Sequence, residues 1–360
     1  MPRMNASEKF WKSRTAVGYW LLAVAGVILA MIVIGGLTRL TGSGLSITEW
    51  KPIMGALPPL SDAAWADAFN KYRQIPQYLI ENKGMSLDQF KGIFWWEWGH
   101  RFLGRFLGLM FLVPFIWFAS VGAIKRSEWP GMLLLFALGG LQGLIGWWMV
   151  SSGLEVRTSV SQYRLAIHLG AALVLLAAIL WIALYYLRAH VQAPARAGAQ
   201  NKQTGDARRG YAFIALVYVQ MLLGALVAGL DAGLIYNTWP DMNGAVLPDG
   251  PLNLSPWWIN FFENHGLVQF NHRIGGYIAA GFAAFIYARG IKLKGHAKTS
   301  AKAIAILTTF QIFLGICTLL LVSPLWLSAL HQMVAAALLS TAVWHSFELR
   351  NFPRPSTSSG

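Results

Sequence analysis

Eight long apolar stretches constrain the fold of this chain more than any other feature of its sequence. Their approximate bounds are 17 to 38, 101 to 122, 131 to 151, 164 to 187, 211 to 230, 272 to 290, 301 to 322 and 326 to 347. An α-helix that crosses the hydrocarbon core of a bilayer needs about 20 such residues. Because 56% of the residues are hydrophobic and only 12% are charged, the chain has too little polar surface for a soluble globular fold. The sequence predicts an all-α polytopic membrane protein with eight transmembrane helices, the first of them a retained span without a cleavage site.

The basic residues predict the orientation of these helices. Lys and Arg give the chain a formal net charge of +14. They cluster in five segments: the N-terminus, Lys125 with Arg126, the stretches 188–209 and 289–302, and the C-terminal tail. These segments alternate along the chain as the positive-inside rule requires. We therefore expect both termini on the cytoplasmic or matrix side, and no nucleic-acid partner, because the charge does not gather on one soluble face.

Two segments between the apolar stretches have distinct compositions. The outer loop 41–100 contains DAAWADAFNKYRQIPQYLIENK at 62–83, whose spaced apolar residues predict an amphipathic helix lying on the membrane surface. The polar and basic segment 191–210 is typical of a linker on the inner side.

An internal repeat divides the chain into two halves. The matched residues of the first and second half are Gly44, Trp50 and Gly55 with Gly233, Trp239 and Gly244; His100, Arg101 and Gly104 with His272, Arg273 and Gly276; Gln142 and Gly146 with Gln311 and Gly315; and His168 with His331. The repeat predicts two related four-helix bundles, at 1–190 and 211–360, joined by the linker 191–210. Since each bundle has an even number of spans, we expect a pseudo-two-fold axis along the membrane normal.

Four histidines occupy equivalent places in the repeat, at the outer ends of the second, fourth, sixth and eighth helices: His100, His168, His272 and His331. Two imidazoles from facing helices of one bundle can hold a metal or a haem iron. Zinc is less favoured because neither pair has a third and fourth ligand nearby, and a quinone would use one histidine rather than symmetric pairs. The alternative is that each histidine forms an interhelical hydrogen bond. Since Cys317 is the only cysteine, any haem would be bound non-covalently.

Charged residues flank the histidines. Glu97 precedes His100 by one helical turn, so that both can face one cavity, where a carboxylate relays a proton; the alternative is an interfacial acid facing water. Arg101 and Arg273 follow the two histidines directly and are candidates for binding haem propionates, unless they reach for lipid headgroups.

The repeat is asymmetric at one acidic position. The second-half position that corresponds to Glu97 is Gln269. This difference favours one catalytic site and one supporting site over a di-haem transmembrane b-type cytochrome that only transfers electrons, which stays the alternative. A transporter built from repeats would have polar residues at the midplane, whereas here they cluster at the outer ends.

Several segments resemble the signature segments of the haem A synthase family, in its proteobacterial and mitochondrial branch. These are GGLTRLTGSGLSITEWKPIMGALPP at 35–59, FWWEWGHRFLGR at 94–105, AIHLG at His168, VQFNHRIGGY at 268–277 and ALHQ at 329–332. The resemblance covers nearly the whole chain. One departure is that some branches carry a cysteine pair in an outer loop, which this sequence lacks.

The resemblance implies an oxidoreductase that converts the C8 methyl of haem O into a formyl group, by successive hydroxylations through a hydrated aldehyde. The product would be haem A for terminal oxidase assembly. His272 and His331 would ligate a resident haem b, whereas His100, His168 and Glu97 would belong to the haem O site. It further implies a bacterial inner-membrane location, contact with haem O synthase and oxidase assembly factors, and a possible homo-oligomer.

Overall fold

A computed structural model describes residues 13–188 and 200–351 of the protein, and this part of the chain is helical without a β-strand. Eight long helices are α1 (Arg14–Leu40), α4 (Leu87–Ser120), α5 (Trp129–Ser151), α6 (Gln162–Arg188), α7 (Gln200–Gly229), α9 (His265–Gly290), α10 (Gly295–Leu320) and α11 (Leu325–Asn351). Three short helices lie in the loops: α2 (Asp62–Tyr72), α3 (Pro76–Ile80) and α8 (Asn260–Glu263). Each predicted apolar stretch lies within one long helix, apart from one or two residues at the C-terminal ends of some stretches.

Seven of the long helices are apolar enough over their length to cross a membrane. The exception is α9, which contains the predicted span 272–290. Its N-terminal half carries Gln269, Asn271, His272 and Arg273, and these polar side chains lower the hydropathy of the helix. The all-helical membrane architecture is therefore confirmed with seven candidate spans.

The long helices pack in two groups of four. In the first group α1 and α5 each contact both α4 and α6, and in the second group α7 and α10 each contact both α9 and α11. The groups meet where α6 packs against α7, α1 against α11 and α6 against α11. Every contact within the first group has a counterpart within the second. Small residues allow neighbouring helices to approach closely. Gly18 on α1, for example, packs against Leu187 of α6, where an added Cβ would lie 2.6 Å from Cγ of the leucine.

The outer loop forms two helices where the sequence predicted one. The break falls before Pro76, because Ile75 takes the extended conformation, with ψ of 155°, that a residue preceding proline favours. Helix α2 packs on a long N-terminal extension of α4. Tyr72 of α2 is fully buried, and its ring lies 5.2 Å from that of Phe90 in α4.

The extension of α4 also differs from the sequence prediction. This helix begins at Leu87, well before the apolar stretch 101–122, behind a capping box in which Ser86 and Gln89 bond each other's backbone N–H. Of the predicted linker 191–210, residues 191–199 lie outside the described residues. Residues 200–210 of this predicted linker form the first part of α7, which begins at Gln200.

Ion pairs connect the ends of the helices that the sequence predicts to lie on the inner side of the membrane. Arg14 at the start of α1 donates to Glu128 at 2.6 and 3.0 Å, and Tyr186 near the end of α6 donates to the same carboxylate at 2.8 Å. Arg188 of α6 donates to Glu348 of α11 at 2.8 Å. These ends therefore meet at one end of the bundle, and the four repeat-related histidines lie toward the other.

Candidate haem site

Three of the four histidines lie near the N-terminal ends of their helices. His168 and His331 occupy the second turns of α6 and α11, and His272 occupies the third turn of α9. His100 lies in the fourth turn of α4, because that helix begins at Leu87, well before the predicted span. The repeat-related positions thus place one imidazole on every second long helix.

Every one of the four imidazole rings packs against a glycine of a neighbouring helix. A Cβ atom added at this glycine would lie 3.0 Å from Cε1 of the ring in all four cases. The pairs are Gly35 with His100, Gly146 with His168, Gly224 with His272 and Gly315 with His331. Ordinary carbon–carbon contacts are about 3.5–4.0 Å. Any residue larger than glycine at these positions would therefore overlap with the imidazole ring. The sequence repeat already matched Gly146 with Gly315, but it did not show that these glycines touch the histidines.

The second-half pair has the spacing of two ligands on one iron. The ring centres of His272 and His331 are 6.4 Å apart, and their planes make an angle of 74°. A metal–nitrogen bond of about 2 Å, with about 1 Å more to the ring centre, puts two rings on opposite sides of one metal about 6 Å apart. The distance between the two rings therefore matches that of two imidazoles on one haem iron.

The amide side chains beside this pair reach the ring nitrogens. Gln220 Nε2 lies 3.1 Å from Nδ1 of His272 and donates to the backbone carbonyl of the same residue at 2.8 Å. Gln311 Nε2 lies 3.1 Å from Nδ1 and 3.2 Å from Nε2 of His331. A metal-bound histidine usually donates its second N–H to an acceptor. Each amide would therefore serve a metal-bound ring through its oxygen, rather than through the nitrogen that now faces the ring. The sequence repeat matched Gln311, but it gave no signal for Gln220.

The first-half pair lacks such partners. His100 and His168 are near enough to interact electrostatically, and their Nδ1 atoms are buried without a hydrogen-bond partner among the described residues. Gln142, the counterpart of Gln311, donates instead to the backbone carbonyl of His168 at 3.1 Å. Buried polar atoms without a partner are costly, and here they mark a site suited to a ligand.

The donor set fits a porphyrin better than a bare metal ion. Across residues 13–188 and 200–351, no group of three or more His, Cys, Asp and Glu side chains is placed to hold a metal. A haem iron needs only two protein ligands because the porphyrin supplies the other four. Each histidine pair matches that requirement.

Glu97 is buried, with 3% of its surface exposed, and its carboxylate is held by the outer loop. It accepts hydrogen bonds from Ser46 Oγ at 2.7 Å, from the Ile47 backbone N–H at 2.8 Å and from Arg101 at 2.5 Å. Arg101 also donates to the carbonyl of Ile47 at 2.9 Å. Glu97 and Arg101 therefore fasten the loop that follows α1 onto α4, one turn before His100.

Gln269 and Arg273 repeat this arrangement in the second half. Arg273 donates to Gln269 Oε1 at 3.0 Å and to the backbone carbonyls of Tyr236 and Thr238 at 2.7 and 3.0 Å. Gln269 donates to the carbonyl of Ala232 at 2.9 Å. Both arginines thus hold loop carbonyls directly above the histidines. Their predicted contact with propionates stays a prediction.

The chain is similar to known proteins over most of its length. Residues 18–343 match the family model COX15-CtaA, described as cytochrome oxidase assembly protein. A heme A synthase of Parvibaculum lavamentivorans is 49% identical over 349 residues, which are 97% of this chain and 98% of the relative. Heme A synthases of a Bradyrhizobium species and of Brucella ovis are each 48% identical, over 91% and 93% of this chain and 90% and 92% of theirs.

Proposed function

The chain belongs to the COX15-CtaA family of cytochrome oxidase assembly proteins, and we propose that it is a haem A synthase, a membrane enzyme acting on haem O. The observation that carries this proposal is the near full-length similarity, at 46–49% identity, to proteobacterial proteins with that name. The two histidine pairs supply what such an enzyme needs, which is a place for more than one haem in the same protein.

We assign the resident haem b to His272 and His331. The spacing of their rings, 6.4 Å, supports coordination from both sides of the iron, and the two amides beside them support a fixed site. Bound haem b would supply an iron that cycles between two oxidation states. The protein positions it through the two helices α9 and α11.

We assign the substrate haem O to His100 and His168. Their Nδ1 atoms have no hydrogen-bond partner within residues 13–188 and 200–351, which suits a haem that is bound, oxidised at its C8 methyl to a formyl group, and released. Glu97 is the nearest carboxylate along α4 and the proposed proton-handling group. To accept a proton it has to loosen its bond with Arg101 or Ser46, so its activity depends on the outer loop.

The helix packing supports the finer architecture expected from the repeat. We propose eight spans, with α9 as the sixth, in halves at 1–190 and 211–360 related by a pseudo-two-fold axis. The equivalent contacts within the two groups of helices and the four equal glycine–histidine contacts support it. In this arrangement both termini are cytoplasmic, the haem sites lie near the outer face of the inner membrane, and haem O synthase and oxidase assembly factors are the proposed partners.

Haem extraction from the purified protein tests the proposed function. The protein is produced in cells that make haem O and lack their own haem A synthase, and its haems are separated by chromatography and identified by mass. We expect haem b together with haem O, its hydroxylated form and haem A. His100→Ala should abolish haem A while leaving haem b in place. Haem b alone in every preparation, with haem O supplied, would refute the synthase and leave an electron-transfer cytochrome.

A further inference from the structure

Besides Glu97 and Gln269, the two halves differ at a second position near the histidines, which is Met31 on α1 and Gln220 on α7. Each side chain lies against the glycine that follows its histidine by four residues. Gln220 Nε2 is 3.7 Å from a Cβ added at Gly276, and Met31 Cε is 3.5 Å from one added at Gly104. Each also precedes by four residues the glycine that touches the ring. Gln220 and Met31 therefore occupy equivalent places and differ only in chemistry.

The amide of Gln220 holds His272 at two points. Its Nε2 lies 3.1 Å from Nδ1 of the ring and 2.8 Å from the backbone carbonyl, while its Oε1 is buried without a hydrogen-bond partner in the described part of the chain. If Nε2 of the ring binds iron, Nδ1 carries the proton. A half turn of the amide then presents Oε1 as the acceptor and gives up the bond from Nε2 to the backbone carbonyl. The same side chain can therefore serve the ring in its metal-bound form.

Met31 cannot hold His100 in this way. A thioether donates no hydrogen bond and accepts only weakly, and Nδ1 of His100 is buried without a partner among the described residues. The second histidine of each half shows the same contrast. Gln311 reaches the ring of His331, whereas Gln142 reaches only the backbone of its histidine. Each second-half ring therefore has an amide beside its Nδ1 atom, whereas the Nδ1 atoms of the first half have no hydrogen-bond partner among the described residues.

We propose that Gln220 is a positioning residue that fixes the ring plane of His272 as a haem ligand, and that Met31 leaves Nδ1 of His100 without such a partner, so that this ring binds iron less firmly. The second-half haem then stays resident, while the first-half haem is exchanged between turnovers. The inference rests on the proposed function, because only an enzyme whose substrate is a haem needs one firm and one exchangeable site. Loss of a partner on the second nitrogen of a metal-bound histidine typically weakens binding by about 10–100-fold.

Exchanging the two residues tests the inference. Gln and Met have similar length and helix propensity, so Gln220→Met and Met31→Gln change the hydrogen bond with little change in packing. The purified holoprotein is mixed with excess apomyoglobin as a haem acceptor, and the loss of haem from each site is followed by absorbance. The electron paramagnetic resonance spectrum is recorded in parallel, because its g values depend on the angle between the ligand planes.

We expect Q220M to release haem b about tenfold faster or more and to shift the largest g value, because the ring plane is no longer fixed. M31Q, loaded with haem O, should release it more slowly by a similar factor. Gln142→Met is the control for the haem b site, because Gln142 lies in the first half and contacts only the backbone carbonyl of His168. The rate of haem b release and the g values of Q142M should equal those of the wild type.

Wild-type release rates and g values in Q220M would overturn the inference. If Q220M does not fold, M31Q provides the test. A rate of haem O release from M31Q equal to that of the wild type would also overturn the inference. A wild-type protein that holds no haem with two imidazole ligands would instead remove the proposed haem b site and this inference together. The failure of the inference alone is therefore distinguishable from the failure of the proposed function.

Discussion

The contact between Gly224 and His272 gives the sharpest prediction. In Gly224→Ala, the new Cβ would lie 3.0 Å from Cε1 of the ring, about 0.5–1 Å inside an ordinary carbon contact. The ring has to move by about half an ångström, which exceeds the tolerance of about 0.2 Å that a metal–ligand bond allows. We expect haem b affinity to fall about tenfold or more, within the range seen when the surroundings of a ligand are disturbed.

The effect of this substitution on stability should be smaller than its effect on haem binding. Overpacking costs about 1–3 kcal/mol, and replacing glycine by alanine inside a helix recovers about 1 kcal/mol. We therefore expect the free energy of unfolding without haem to fall by about 2 kcal/mol at most. Gly281→Ala is the matched control, because nothing lies within 4 Å of the Cβ added at Gly281.

Two measurements on detergent-purified protein check these expectations. Haem titration of the haem-free protein, followed by absorbance, gives the affinity, and thermal unfolding of the same preparations gives the stability. G281A should bind haem b as the wild type does and unfold at the same or a slightly higher temperature. Wild-type affinity and spectrum in G224A would refute the reasoning that this close contact holds the ligand ring in place.

Four further substitutions test the ligand assignment, the role of Glu97 and the ion pairs of the outer loop. His272→Ala and His331→Ala should each remove the resident haem b spectrum, and unchanged absorbance in both variants would contradict the ligand assignment. Glu97→Gln should keep that spectrum but lower the yield of haem A by about 100-fold, the lower range for loss of a proton-transfer group; wild-type yield would leave Glu97 with only its structural role. Hydrogen bonds from two lysines lower the pKa of Glu49 below its usual 4.5, so its stabilisation is present above that pH and is lost as the pH falls through the lowered pKa. Since 43% of the Glu49 side chain is exposed, Glu49→Gln should destabilise by about 0.5 kcal/mol at pH 7 and by less at pH 3, as thermal unfolding at the two pH values would show.

The sequence predicted those residues of the site that can be recognised from their positions along the chain. The histidines and their flanking arginines were found because repeat-related positions carry the same residues at constant offsets. Glu97 was found from its spacing of one helical turn before His100, but the direction of its side chain was not predicted. Sequence spacing put it on the same side of the helix as His100, whereas the structure turns it toward Ser46 and Ile47, because an irregular loop segment presents donors that no periodicity reveals.

What the sequence by itself determined is the set of long helices and the equivalence of the two halves. Transfer of apolar residues into a bilayer depends on composition along the chain, and that composition is read directly from the sequence. Only the tertiary structure decided that α4 extends to Leu87, that four glycines touch four histidines, and that an amide holds His272 while a thioether lies beside His100. These contacts depend on how each helix is rotated about its axis and how closely its neighbour approaches, and neither quantity is encoded in the order of residues within a single helix.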